Sequence, residues 1–350
     1  MPAFRIPSPL STPARVSVHD PQSTIRNPQS LSCYDPPVTT LLIPWVLVAA
    51  GIILLAKGAD WLVDGSSRLA LRLGVSPFVV GLTVVGFGTS MPEVAVSVVA
   101  ASRGSAGLSL GNAVGSNIMN LLLVLGAAAV LAPIHVVGGR KVLWRDMLFG
   151  LAPAAVLMGA AWDGVIERPV ALALLAIFAI FITVSIRQAR RGAAAPTVVT
   201  GRPLHHLALS VLGIVVLVTG SEMMVRGGVE LASRFGVNDT IIGLTLVAFG
   251  TSLPELATSV AASLRGHSDL SIGNVLGSNV FNLGAVVGTA FAIRPAAIEP
   301  SVIRQDVPIL ISATVLVALI VLRDGRIRRS EGVVMLLTVA AYVVFVVMRG

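Results

Sequence analysis

Residues 81–121 read GLTVVGFGTSMPEVAVSVVAASRGSAGLSLGNAVGSNIMNL, and residues 243–283 read GLTLVAFGTSLPELATSVAASLRGHSDLSIGNVLGSNVFNL. The two segments align without a gap at an offset of 162 residues, with 25 identities in 41 positions. Shared apolar composition yields scattered Leu and Val matches. It does not yield Thr, Ser, Pro, Glu, Asn and Gly matched in register. The register continues upstream, pairing Gly58-Ala59-Asp60 with Gly220-Ser221-Glu222 and Gly74-Val75 with Gly236-Val237. One structural unit has been built twice.

The unit belongs in a membrane. Of 350 residues, 55% are hydrophobic and 12% charged, and the mean hydropathy is +0.89. Soluble domains carry roughly 25% charged residues, and a globule of this length cannot cover itself with half of that. A single cysteine, Cys33, excludes a disulfide scaffold. An aromatic content of 5% disfavours an outer-membrane barrel. Apolar runs near 20 residues are the length a helix needs to cross about 30 Å of hydrocarbon. Ten candidate spans follow, at about 42–58, 77–100, 109–132, 146–162, 169–186, 206–225, 240–263, 271–293, 307–322 and 332–348. Each repeat holds two spans, and equivalent points are five spans apart. An odd number reverses the sense of crossing. The expected fold is therefore an all-α polytopic membrane protein, ten transmembrane helices arranged as two inverted-topology five-helix repeats. Secondary transporters built this way bind substrate near the midplane, where the two copies meet.

Residues 1–40 are rich in Pro, Ser and Thr and lack the apolar core of a secretory signal peptide. They are expected either to be disordered or to precede a true translation start near Val38 to Leu42. A first half at 41–186 is followed by a polar linker at 187–205 and a second half at 206–350. The formal net charge is +8. Fifteen Lys and Arg fall in the loops on the linker's side of the membrane, among them Lys57, Arg68, Arg72, Arg140, Lys141, Arg187 and Arg265, against seven, Arg226 and Arg234 among them, in the opposite loops and the C-terminus. The excess places the linker in the cytoplasm and both termini outside, in a bacterial-type inner membrane. Cations scattered between apolar runs are topology signals, not a nucleic-acid surface.

Glu93 and Glu255 are the only acids well inside the apolar spans of either repeat, and no Lys, Arg or His shares those spans. A charge at that depth costs about 2.5–3.5 kcal/mol on insertion scales and normally has a partner or a function. The missing counter-charge points to a mobile cation. Around each acid the sequence is Gly-Thr-Ser-x-Pro-Glu. Helical spacing puts Thr89, Ser90, Glu93 and Ser97 on one face, and Thr251, Ser252, Glu255 and Ser259 on its counterpart. Pro92 and Pro254 lack an N–H, so the carbonyls of Gly88 and Gly250 lose their helical partners and the helix bends. Ser and Thr in a helix can simply bond back to the preceding turn, but beside a proline and a buried acid, lining of a site is the favoured reading. The second span of each repeat carries Asn112, Ser116 and Asn120, matched by Asn274, Ser278 and Asn282. Asn112 and Asn274 lie nearer the span ends and are weaker candidates. Asn117 and Asn279 point off this stripe and fit interhelical hydrogen bonding as well as ion contact. Gly111 with Gly115, and Gly273 with Gly277, have the spacing that lets helices approach closely.

Carboxylates, hydroxyls and amide oxygens without Cys or His suit hard cations. Two Glu charges neutralise one calcium ion, and the same oxygens could accept sodium ions. A nucleophile–base pair for enzyme chemistry is missing, since Ser90 and Ser252 have no His or Lys in their spans. A channel is disfavoured by two inverted copies. No cofactor is called for, and two facing repeats complete one site, so a functional monomer is expected.

The paired GTSMPE…GNAVGSNIMN and GTSLPE…GNVLGSNVFN resemble the two alpha-repeats of the calcium/cation antiporter superfamily, specifically its sodium/calcium exchanger branch. The resemblance covers about residues 42–348 and implies exchange of cytoplasmic calcium for sodium entering down its gradient. It carries cation-binding roles onto Thr89, Ser90, Glu93, Ser116 and Asn120, and onto Thr251, Ser252, Glu255, Ser278 and Asn282. Backbone oxygens near Gly86 and Ala248 join them. Several members, including potassium-dependent ones, have Asp where this chain has Asn282, which weakens the case for potassium co-transport. Exchange of three sodium ions for one calcium ion, as the resemblance suggests, would be electrogenic. Proton/calcium antiport is the alternative.

Overall fold

The computed structural model describes residues 38–135, 140–162, 164–191, 203–236, 248–298 and 301–349. Residues 1–37 of the expected 1–40 tail, the middle of the linker and residues 243–247 of the second repeat lie outside these, while residues 38–40 already belong to the first helix. Twelve helical segments account for nearly all the described backbone. They are α1 (Val38–Leu73), α2 (Pro77–Thr89), α3 (Met91–Ser102), α4 (Ala106–Leu131), α5 (Arg140–Ala160) and α6 (Arg168–Arg191), then α7 (Pro203–Arg234), α8 (Ala248–Thr251), α9 (Leu253–Leu264), α10 (Ser268–Ile293), α11 (Val302–Asp324) and α12 (Arg329–Arg349). Seven are long and apolar enough to cross a membrane. The bent pair Pro77–Thr89 and Met91–Ala101 makes an eighth. The two other expected spans fall on α5, which opens with Arg140, Lys141, Arg145 and Asp146, and on α8–α9, whose expected start lies outside the described residues.

α1 and α7 run well past the expected ends of their spans. Lys57, Arg68 and Arg72, read from sequence as loop charges, sit on α1, and Arg226 and Arg234 sit on α7. The reason is local: Asp64–Arg68, Glu222–Arg226 and Glu230–Arg234 are i,i+4 pairs at 2.8, 2.6 and 2.9 Å, which favour helix where the chain turns polar. Both helices end at a glycine with positive φ, Gly74 at 66° and Gly236 at 75°, a conformation that caps a helix and costs a side-chain-bearing residue strain.

Along α1 and α7, glycines recur every seventh residue, at Gly51, Gly58 and Gly65 and at Gly213, Gly220 and Gly227. They interdigitate. A Cβ on Gly58 would lie 2.7 Å from the Leu217 nitrogen, one on Gly213 would lie 2.6 Å from the Leu62 nitrogen, and one on Gly220 would lie 2.9 Å from the Leu55 nitrogen. The backbones touch, as small residues permit between membrane helices.

The repeat helices form the centre. Buried residues make up 72% of the most apolar stretch of α4 and 78% of that of α10, against 28% for α1 and α7 and 17% for α12. The outer helices instead expose Leu204, Leu212, Leu319 and Leu337. This is a surface made for lipid, not water. Gly273 and Gly277 of α10 lie against the backbone of Phe78 and Leu82 in α2, the close packing their spacing predicts. Two short antiparallel ladders tie the halves together. One pairs Ile134 with Ile327 and His135 with Arg326; the other pairs Val165 with Ala297 and Ile166 with Ala296. The 162-residue offset carries Ile134–His135 onto Ala296–Ala297 and Val165 onto Ile327, so the two ladders correspond to within one residue of register.

Near the start of α11 lies an acid that sequence reading passed over. Asp306 is buried and accepts two parallel hydrogen bonds from the Arg349 guanidinium, at 3.0 and 2.9 Å, which fasten the end of α12. Arg349→Ala leaves that carboxylate without its counter-charge, beside the Tyr342 hydroxyl alone among the described residues. It is expected to cost about 3 kcal/mol, read as a lowered midpoint for thermal unfolding in detergent.

Candidate cation site

Two helix breaks bring the acids inward. Ser90 (φ −82°, ψ 7°) separates α2 from α3, and the segments on either side differ in direction by 46°. Ser252 (φ −87°, ψ 3°) separates α8 from α9 in the same way. Pro92 and Pro254 are each the second residue of the new helix, where a missing N–H costs nothing. Glu93 and Glu255 therefore stand in the first turn of a helix, where the partial positive charge of free N–H groups favours a carboxylate.

The carbonyls that the prolines release do not have the same fate. Gly250 O accepts a hydrogen bond of 2.6 Å from Ser221 Oγ on α7. At the matching position of α1 stands Ala59, which has no hydroxyl to offer Gly88. Ser221 was missed as a site residue, although its signal was present: it interrupts the upstream register as Ser against Ala.

Thr89, Ser90, Glu93, Ser116, Asn120, Thr251, Ser252, Glu255, Ser278 and Asn282 are all buried. Most are drawn into one network that crosses between the repeats. Ser90 Oγ and Ser278 Oγ both reach Glu255 Oε1, at 3.2 and 3.4 Å. Ser116 Oγ and Thr251 Oγ1 lie 3.3 Å apart, and their hydroxyls face Glu93. The two carboxylates are electrostatic neighbours. Thr89 Oγ1 lies 3.0 Å from Val85 O, 3.1 Å from Asn274 Oδ1 and 3.5 Å from Ser278 Oγ. Its single proton goes to one acceptor, which leaves lone pairs for the site. Gly86 O accepts from Ser90 N–H and from Ser278 Oγ, each at 3.2 Å. Any ion it meets must compete for those lone pairs. Ala248 is the first described residue of α8, and its side chain lies outside the described set.

Ser97 and Ser259 stand apart. Asn112 Nδ2 donates to Ser97 Oγ at 3.1 Å, and Asn274 Nδ2 to Ser259 Oγ at 3.0 Å. The hydroxyl face read from helical spacing thus divides within α3 and α9, past the acids. Its far turn fastens α3 to α4 and α9 to α10, while the near turn faces the acids. The open reading of Asn117 and Asn279 resolves toward interhelical bonding, because each donates its amide N–H to the other's backbone carbonyl.

Six buried oxygens at this junction have no hydrogen-bond partner among the described residues: both of Glu93, Oε2 of Glu255, Oδ1 of Asn120 and of Asn282, and Oγ of Ser252. Orphaned buried carboxylates are costly, and they persist where something else compensates. An all-oxygen set with two negative charges matches a hard cation, and calcium takes six to eight oxygens in flexible geometry. Asn120 and Asn282 lie within π-helical turns at Asn120–Val124 and Phe281–Val287, a widening often found at functional sites and invisible in the apolar residues that form it.

Fold and site define a polytopic helical membrane protein with a buried cluster of oxygens of the kind a hard cation takes. The sodium/calcium exchanger protein family matches residues 43–187 and 205–348, both halves of the chain. The inner membrane protein YrbG of Escherichia coli is 34% identical over 85% of this chain and 94% of its own length. The sodium/calcium exchanger MaX1 of Methanosarcina acetivorans is 29% identical over 87% of this chain and 98% of its own. A solved structure of the sodium-calcium exchanger NCX_Mj superposes with a TM-score of 0.75 at 30% identity, covering 88% of this chain and 99% of that one. The chain belongs to the sodium/calcium exchanger family, within the calcium/cation antiporter superfamily. It is a cation exchange transporter of the membrane.

Proposed function

We propose that this protein exchanges sodium for calcium by alternating access, with the site just described as the single transport site. The carrying observation is the set of partnerless carboxylate and amide oxygens contributed by both repeats. Glu93 and Glu255 supply the two charges that neutralise one calcium ion. Thr89, Ser90, Ser116 and Asn120, with Thr251, Ser252, Ser278 and Asn282, supply neutral oxygens, and the carbonyls of Gly86 and Ala248 complete the set. Sodium ions occupying the same oxygens exclude calcium, and that exclusion couples the two fluxes. Asn282 adds no third carboxylate, which favours potassium-independent exchange; three sodium ions against one calcium ion would make it electrogenic.

The architecture proposed with it is ten spans in two inverted halves, 41–186 and 206–350. The linker at 187–205 is cytoplasmic, both termini are outside, and a monomer in a bacterial-type inner membrane suffices. Proteoliposomes with sodium, potassium and proton gradients imposed separately test the assignment. An outward sodium gradient alone is expected to drive calcium uptake. Uptake driven by a pH gradient and indifferent to sodium would replace this reading with proton/calcium antiport.

A further inference from the structure

Asn117 and Asn279 sit one turn from Asn120 and Asn282 but on a different face, and they form a reciprocal clasp between α4 and α10. Asn117 Nδ2 donates to Asn279 O at 2.9 Å, and Asn279 Nδ2 donates to Asn117 O at 3.2 Å. Each amide has one further contact: Asn282 Nδ2 donates to Asn117 Oδ1, and Asn120 Nδ2 to Asn279 Oδ1, both at 3.1 Å. All four residues are buried.

Hydrogen-bond chemistry allows this network one orientation. A backbone carbonyl only accepts, so the side of Asn117 that faces Asn279 O must be its NH₂. Its Oδ1 then faces Asn282 and can only accept, so Asn282 must present NH₂ to it. The Asn282 Oδ1 is thereby turned the other way, where it has no partner among the described residues. The same chain of necessity runs from Asn279 to Asn120. A primary amide otherwise flips between two nearly isosteric orientations, and one of them aims N–H donors at a cation.

We infer that Asn117 and Asn279 are positioning residues: they lock the amides of Asn120 and Asn282 with oxygen, never NH₂, toward the transported ion. They touch no ion themselves. The inference rests on the reading of Asn120 and Asn282 as ligands, and its test separates the two. In sodium-driven calcium uptake, half-saturating sodium, half-saturating calcium and the maximal rate are measured for Asn117→Leu, Asn282→Ala and the double variant. Asn117→Leu keeps the branched outline in a bulkier side chain and removes both the acceptor for Asn282 and the donor to Asn279 O. It is expected to raise the half-saturating concentration of at least one ion by about tenfold, the order expected for one misdirected buried polar group. Asn282→Ala is expected to do the same, and the double variant no more than Asn282→Ala alone.

A conservative variant checks the direction of the effect. Asn117→Asp, as the neutral acid, offers O–H to Asn279 O and oxygen to Asn282, and is expected to keep wild-type half-saturation. The symmetric set, Asn279→Leu with Asn120→Ala, serves if Asn117→Leu does not yield monodisperse protein. A fall in maximal rate with both half-saturations unchanged, or effects that multiply in the double variant, would mean that the clasp merely holds α4 to α10. Glu93→Gln is the control for the site itself. If it transports like wild type, the site is misplaced. If it is inactive while Asn117→Leu and Asn279→Leu are silent, the site stands and the orienting role falls.

Discussion

Glu93→Gln and Glu255→Gln are each expected to abolish sodium-driven calcium uptake while leaving the protein folded. Glutamine keeps the shape and removes one of the two charges facing the ion. A unit charge about 4 Å away is worth about 4 kcal/mol at an effective dielectric of about 20, and more against a divalent ion, so affinity falls at least roughly a thousandfold. Stability in ion-free buffer should hold or rise, because both Glu93 oxygens and one of Glu255 are buried without hydrogen-bond partners among the described residues. Calcium should raise the unfolding temperature of the wild type and not of either variant, since a ligand stabilises only the state that binds it. Uptake persisting in Glu93→Gln would remove the acid from the site.

The second large effect is expected from the contact between α1 and α7. Even alanine at Gly58 and Gly213 sets a Cβ 2.7 and 2.6 Å from backbone nitrogens of the facing helix, and backbone has no rotamer by which to yield. The helices must separate, at about 2–4 kcal/mol for the pair of substitutions. Displacement of α7 then reaches both breaks, because Ile214 packs on Gly88, Val225 packs on Gly250, and Ser221 holds the Gly250 carbonyl. Gly58→Ala with Gly213→Ala is expected to lower the unfolding temperature and to abolish uptake even in the fraction that remains folded. Alanine at Gly150, where nothing described lies within 4 Å, should do neither.

Much of this was legible because membrane physics reduces the choices. Apolar runs of span length left few folds, and a gapless repeat of polar residues singled out Glu93, Glu255 and their neighbours. Prolines announced the breaks. What stayed hidden depended on contacts between distant segments. Nothing in the local sequence of α1 says that its glycines meet those of α7, though their seven-residue spacing was there to be seen. Helical periodicity put Ser97 and Ser259 on the face of the acids, but it could not see that Asn112 and Asn274 of the neighbouring helices would claim their hydroxyls. Lys57, Arg68 and Arg72 looked like loop residues because i,i+4 pairing extends a helix beyond the apolar stretch that marks it. The bonding of Asn117 and Asn279 depends on how α4 crosses α10, which a linear pattern does not carry.

The central claim is that one buried set of oxygens serves sodium and calcium in turn. Its most direct test is the initial rate of radioactive calcium uptake into proteoliposomes loaded with sodium, compared with otherwise identical vesicles loaded with potassium. Uptake in sodium-loaded vesicles, near background in potassium-loaded ones and absent in Glu93→Gln, is the predicted result. Equal uptake from both, or uptake that follows a pH gradient alone, would contradict it.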